Sequence, residues 1–99
     1  MAVNAFNPAG TMDQKMAQIH TQMWVALFMN EIEAYANWRR TGYPALVPVN
    51  YPGNVTGGTI PRRLRYNEGE ISANAENYRA AVAQQGVDEF TTRVWWDKQ

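Results

Sequence analysis

The sequence has no cysteine and only one histidine, His20. Without thiols there can be no disulfide framework and no thiolate zinc site. A lone imidazole with no Gly-x-Ser-x-Gly elbow leaves nucleophilic and metal chemistry without machinery, so His20 is read as a hydrogen-bonded helix histidine and no cofactor is expected. An excess of either charge is also missing: nine basic and nine acidic side chains cancel. That balance argues against a nucleic-acid partner, whose phosphates demand surplus Lys and Arg. The longest wholly apolar run, Met23 to Met29, is seven residues, where a membrane-spanning helix needs about 20. Met1 to Gly10 has neither a basic n-region nor an apolar h-region, so the leader of an exported protein is expected upstream of Met1. Repeats and low-complexity segments are absent, and 99 residues hold one domain at most.

What is present reads as mainly α. Thr11 predicts an N-cap with Gln14 closing a capping box. Met12, Met16, Ile19, Met23, Ala26 and Leu27 then recur at steps of three and four, one apolar face of a helix over about 11–29. Trp24, Val25 and Phe28 make its last turns apolar on every side. Asn30 is expected to cap a second helix, about 31–41, with Glu31 and Glu33 in its first turn and Arg39 and Arg40 in its last. Gly42 suits a left-handed C-cap, and Pro44 stops the helix. Residues 41–73 hold four of the five prolines and five of the seven glycines, which predicts a long irregular loop with room for a short strand at Gly58 to Leu64. Asn74 is expected to cap a third helix over about 75–85, ended by Gly86. The tail, Phe90 to Asp97, is aromatic and reads as extended. Helices apolar on two sides, joined by some 30 structureless residues, predict a piece of a larger body rather than a free-standing domain.

Chemistry is sparse. Glu31 and Glu33 point to different sides of a helix; Glu68 and Glu70, if extended, would share a face as an acid and base pair could, but the ordinary reading is a solvated loop. Five of the seven arginines (Arg39, Arg40, Arg62, Arg63, Arg65) lie in an acid-free span interleaved with Tyr43 and Tyr51. That pattern suits an anion or sugar site. The favoured reading is structural: Arg39 and Arg40 bond helix-end carbonyls, while Arg62, Arg63 and Arg65 pair with the nearby Glu68, Glu70 or Glu76. Trp95 and Trp96 are adjacent, so on a strand they face opposite ways; both are assigned to packing against a larger body, with sugar stacking as the functional alternative.

The stretch NEIEAYANWRRTGYP, Asn30 to Pro44, resembles the signature of the SusD/RagB outer-membrane lipoproteins. IPRRLRYNEGEISANAENYRAAV, Ile60 to Val82, and the closing Thr92 to Lys98 are similar to that family's later motifs, in the family's order. Glu31, Tyr35 and Asn67 depart from the usual glycine, tryptophan and proline, and the first of these would let the first two helices run on as one. The resemblance implies the C-terminal part of a larger SusD-like fold with a tetratricopeptide-like helical scaffold, spanning residues 1–99. It implies a binding protein without catalytic, cofactor-binding or metal-binding residues. Its partners would be a glycan or other nutrient and a SusC-type TonB-dependent transporter. It would sit at the outer membrane and meet the membrane only through a lipidated N-terminal Cys that this sequence does not contain. Trp38, Arg39, Arg40, Gly42, Pro44, Arg62 and Arg63 carry the structural signature. Tyr43, Trp95 and Trp96 are the candidate ligand contacts. A protein-interaction module, docking through the Met-rich helix and the Trp tail, is the alternative.

Overall fold

Thr11 Oγ1 accepts from the Gln14 N–H at 3.3 Å, and Gln14 Oε1 accepts from the Thr11 N–H at 2.9 Å. Two amides that a helix start leaves open are thereby satisfied reciprocally, and helix α1 runs Met12–Ala26. In this computed structural model the described residues are 5–97, so the start of the sequence at Met1 and Lys98 of the closing motif lie outside them. The helix stops three residues before the apolar pattern does. Leu27 to Met29 form turns, with Asn30 N–H donating to Leu27 O at 2.8 Å. Asn30 has a non-helical backbone (φ −133°, ψ 74°) and accepts from Glu33 N–H, starting α2, Glu31–Thr41. Glu31 therefore does not fuse the two helices, because the cap at Asn30 breaks the ladder. At the other end, Gly42 takes φ 77° and donates its N–H to Trp38 O at 2.8 Å. Only glycine adopts that left-handed conformation without strain. A cis peptide bond joins Tyr43 to Pro44.

The chain divides into two compact units, the first reaching Leu46 and the second covering Val47–Asp97. In the first, α1 packs on α2. The entry to α1 is tied back on itself, with Asn7 N–H donating to Gln18 Oε1 at 3.0 Å.

The second unit departs from the expected long loop in three ways. A short helix, α3, Glu68–Ala73, occupies the end of the span expected to be irregular. Asn67 caps it by accepting from Gly69 N–H at 2.7 Å, and Glu68 and Glu70 favour its positive end. Six residues carry too little periodicity to announce a helix. No strand forms at Gly58 to Leu64, nor anywhere among the described residues. Gly57 and Gly58 turn the chain with φ 62° and 82°, and Pro61 has no N–H for a ladder. In place of a ladder, the Arg62 and Arg63 amides share the Phe90 carbonyl at 2.6 and 3.3 Å. The tail is not extended either: Asp97 N–H donates to Val94 O at 2.9 Å, closing a turn.

Helix α4, Ala75–Gln85, packs on α3 and follows Asn74, but not through a side-chain cap. Asn74 instead donates to Glu70 Oε2 at 2.9 Å and accepts from Asn77 Nδ2 at 2.7 Å. The Asn77 side chain thus occupies the Oδ1 that would have accepted from a backbone N–H of α4.

Among the described residues the buried hydrophobic side chains are Ala34 and Trp38, both on α2. The apolar face of α1 stays open: Met12, Met16, Ile19 and Met23 are all exposed, and beyond it Phe28 is 80% and Ile32 81% exposed.

Candidate functional site

The α2 signature builds a stacked column. Tyr35 and Trp38 lie one turn apart with their rings 6.3 Å apart and 18° from parallel, and the Arg39 guanidinium sits 4.2 Å over the Tyr35 ring. This cation–π contact fixes a delocalised charge on an aromatic face. Arg40 donates to Asn37 Oδ1 at 3.1 Å, so this arginine binds a side chain where a helix-end carbonyl was expected. The carbonyl of Asn37 is taken by Thr41 Oγ1 at 2.8 Å. Beside Trp24, Val25, Leu27, Phe28, Ala34 and Tyr35 lies an apolar groove of about 670 Å³.

His20 is the buried residue of α1, with its ring stacked parallel to that of Tyr43 at 6.3 Å. Neither ring nitrogen finds a hydrogen-bond partner among the described residues. That corrects the expectation of a hydrogen-bonded histidine; the Tyr43 ring offers it a π-face and no acceptor. Tyr43, one of the candidate ligand contacts, is half-buried in this stack, and its N–H donates to Thr41 Oγ1 at 3.3 Å.

In the second unit the arginine motif is answered by aspartates from far along the chain, not by the nearby glutamates. Arg62 Nη1 lies 3.3 Å from Asp97 Oδ1, and Arg93 Nη1 reaches the same oxygen at 3.1 Å. Arg63 Nη2 donates to Asp88 Oδ1 at 2.9 Å. Asp88 also accepts from the Tyr66 N–H at 3.2 Å and the Tyr78 hydroxyl at 3.4 Å, while Tyr66 and Tyr78 meet edge to face. Both aspartates are buried, and each has the donors that a buried carboxylate requires. Glu68 and Glu70 stay exposed on α3, where favourable contact with the helix start competes with reaching for a guanidinium. Because they are two apart on a helix, they no longer share a face as an acid and base pair would.

Trp95 is 89% exposed and Trp96 half-buried, both in the closing turn. Tyr43 belongs to the first unit and the tryptophans to the second. Two features went unread in the sequence. Asp88 and Asp97 could have been suggested only by their position after an acid-free stretch rich in arginine. The other is a pair of clefts flanking Phe90. One, of about 420 Å³, is lined by Tyr51, Asn54 and Thr59 among others; the second, of about 230 Å³, is lined by Val55, Arg65, Glu89 and Thr91.

Comparison with known proteins gives this architecture relatives. The chain is similar to a chitin-binding protein at 42% identity (TM-score 0.79, 94% of this chain and 21% of that one). It is similar to a chitin-binding SusD homologue from Flavobacterium johnsoniae at 38% identity (TM-score 0.78, 96% and 20%). A SusD homologue from Bacteroides uniformis matches at 35% identity (TM-score 0.83, 94% and 20%). The chain thus spans about a fifth of the length of the solved structures it matches. No curated protein matches it significantly. No helix among the described residues is long and apolar enough to cross a membrane. The model of the SusD-like family, SusD and RagB outer membrane lipoproteins, matches residues 2–97, and with its helical fold and its ordered arginine motifs the chain belongs to that family.

Proposed function

We propose that this chain is the C-terminal portion of a SusD-like lipoprotein that binds glycans at the outer membrane without catalysing their conversion, and passes them to a SusC-type TonB-dependent transporter. The similarity to two chitin-binding proteins at 42% and 38% identity carries the choice of ligand, an oligomer of β-linked N-acetylglucosamine. The uncovered apolar face of α1 and the groove beside α2 support the placement within a larger body, for which these residues supply scaffold. Tyr43 would act by holding His20, and not as a ligand contact. Membrane attachment would come from a lipidated cysteine upstream. Calorimetric titration of the full-length protein with chitohexaose tests the reading. Saturable binding with no release of shorter sugars is expected; no binding across a panel of glycans refutes it.

A second reading is favoured by the exposure of Met12, Met23 and Trp95. In it these side chains dock a partner protein, with the methionines adapting to its surface. Retention of the transporter by the 99-residue chain alone, lost in Trp95→Ala, would support it.

A further inference from the structure

We propose that the two clefts flanking Phe90 form a sugar-binding subsite, with Tyr51 as stacking platform and Asn54, Arg65 and Glu89 as polar contacts. The inference rests on the glycan-binding reading above and adds to it a location and residues.

Volume is the first observation. At about 420 Å³ the larger cleft is of small-molecule size, and the smaller adjoins it through Val55 and Phe90, which line both. Its lining is the second. A pyranose presents C–H groups on its faces and hydroxyls round its rim, so it needs an aromatic surface together with donors and acceptors. Tyr51 is 62% exposed and lines the larger cleft, so its ring is open to that space. Asn54 has committed its side-chain oxygen to Thr56, accepting from the N–H at 2.8 Å, with the hydroxyl oxygen 2.7 Å away. That arrangement leaves its amide donor for solvent or ligand. Arg65 and Glu89 line one cleft with opposite charges, yet no ion pair forms between them, and neither side chain has a hydrogen-bond partner among the described residues. Arg65 is thus set apart from Arg62 and Arg63, which are consumed by buried aspartates. A guanidinium donor and a carboxylate acceptor held apart match the hydroxyl and acetamido groups of a sugar.

Rigidity is the third observation. Asn54 N–H donates to Tyr51 O at 3.1 Å, Thr59 N–H to Thr56 O at 3.2 Å, and Thr56 Oγ1 to Thr59 O at 2.6 Å. A Cβ at Gly58 would meet Asn50 Cβ at 2.7 Å, so the wall closes on itself tightly. The Phe90 carbonyl is fastened by the Arg62 and Arg63 amides. A wall organised before binding loses little entropy on taking a ligand.

The test is titration of the full-length protein with chitohexaose, in wild type and in Tyr51→Ala, Tyr51→Phe, Arg65→Ala and Glu89→Gln. Tyr51→Ala is expected to weaken binding about tenfold or more with an unchanged melting temperature, as for a ring that faces ligand and not a neighbouring element. Tyr51→Phe keeps the platform and stays within about threefold of wild type; Arg65→Ala and Glu89→Gln each lose about fivefold. If wild type binds and all four variants bind equally well, the subsite is wrong and the glycan-binding reading stands. If wild type binds no glycan, both fall.

Discussion

Replacing Asp97 by alanine should loosen the second unit far more than replacing its more exposed partner, Arg93. The Asp97 side chain is fully buried and Arg62 is 11% exposed, so removing the carboxylate takes its ion pair from a guanidinium held largely away from water. Breaking a buried pair from one side costs about 3–5 kcal/mol. Arg93, 41% exposed, makes the second contact to Asp97, and its removal leaves the carboxylate paired with Arg62. Loss of such a partly exposed pair costs up to about 1 kcal/mol. The amides of Arg62 and Arg63, bonded to the Phe90 carbonyl, report locally on whether the tail holds the loop. Hydrogen exchange in the full-length protein therefore reads the difference. Taking about 3 kcal/mol, Asp97→Ala should speed exchange of both amides roughly 150-fold, against about fivefold for Arg93→Ala. The double variant Arg62→Met with Asp97→Leu should recover much of the protection, because an apolar pair of similar bulk avoids desolvating charges. Exchange in Asp97→Ala within a few-fold of wild type would refute the assignment of Asp97 as the anchor of the tail.

Trp38→Ala should cost about 3–5 kcal/mol, since Trp38 is the one large buried hydrophobic side chain among the described residues, and should show as a lowered thermal midpoint or loss of soluble protein. Gly58→Ala should cost about 2 kcal/mol in a urea titration, from φ 82° and the approach of Asn50; adding Asn50→Gly removes the steric share and leaves about 1 kcal/mol. Phe28→Ser should lower binding of a hydrophobic dye by the 99-residue chain without destabilising it, but destabilise the full-length protein by about 2 kcal/mol. Equal stability of the full-length variant and wild type would show that nothing covers Phe28.

What could be read from the sequence was what residues within four positions of each other decide. The Thr11 and Gln14 capping box, the Asn30 cap and the left-handed Gly42 are each set by one turn of chain, and each forms. Where two local demands compete, the sequence does not tell which wins: Asn74 Oδ1 could accept from a backbone N–H of α4 or from the Asn77 side chain, and the structure takes the second. Nor does it show the arginine pairs, because Arg62 meets Asp97 across 35 residues and Arg63 meets Asp88 across 25. Nearby glutamates are better placed in sequence, but their backbone is already engaged in starting α3. The Phe90 clefts had a partial signal in Tyr51 and Arg65, and lacked one for Glu89 and Phe90, which arrive from the far end of the unit.

The apolar periodicity of α1 has a different standing. It forecasts a helix correctly, yet the face it marks is not the chain's own core. Burying a large apolar side chain is worth roughly 1.5–3 kcal/mol, so Phe28, Met29 and Ile32, all at least 80% exposed, represent about 5–9 kcal/mol that this chain does not realise. An entire domain is stable by only about 5–15 kcal/mol. Three side chains at the α1–α2 turn therefore hold an energy comparable to that of a whole fold, while caps, a stacked column and two buried aspartates set the local geometry. This is the surface that the placement proposed above would cover with the rest of a larger body, and the apolar groove of about 670 Å³ beside Trp24 and Tyr35 belongs to it.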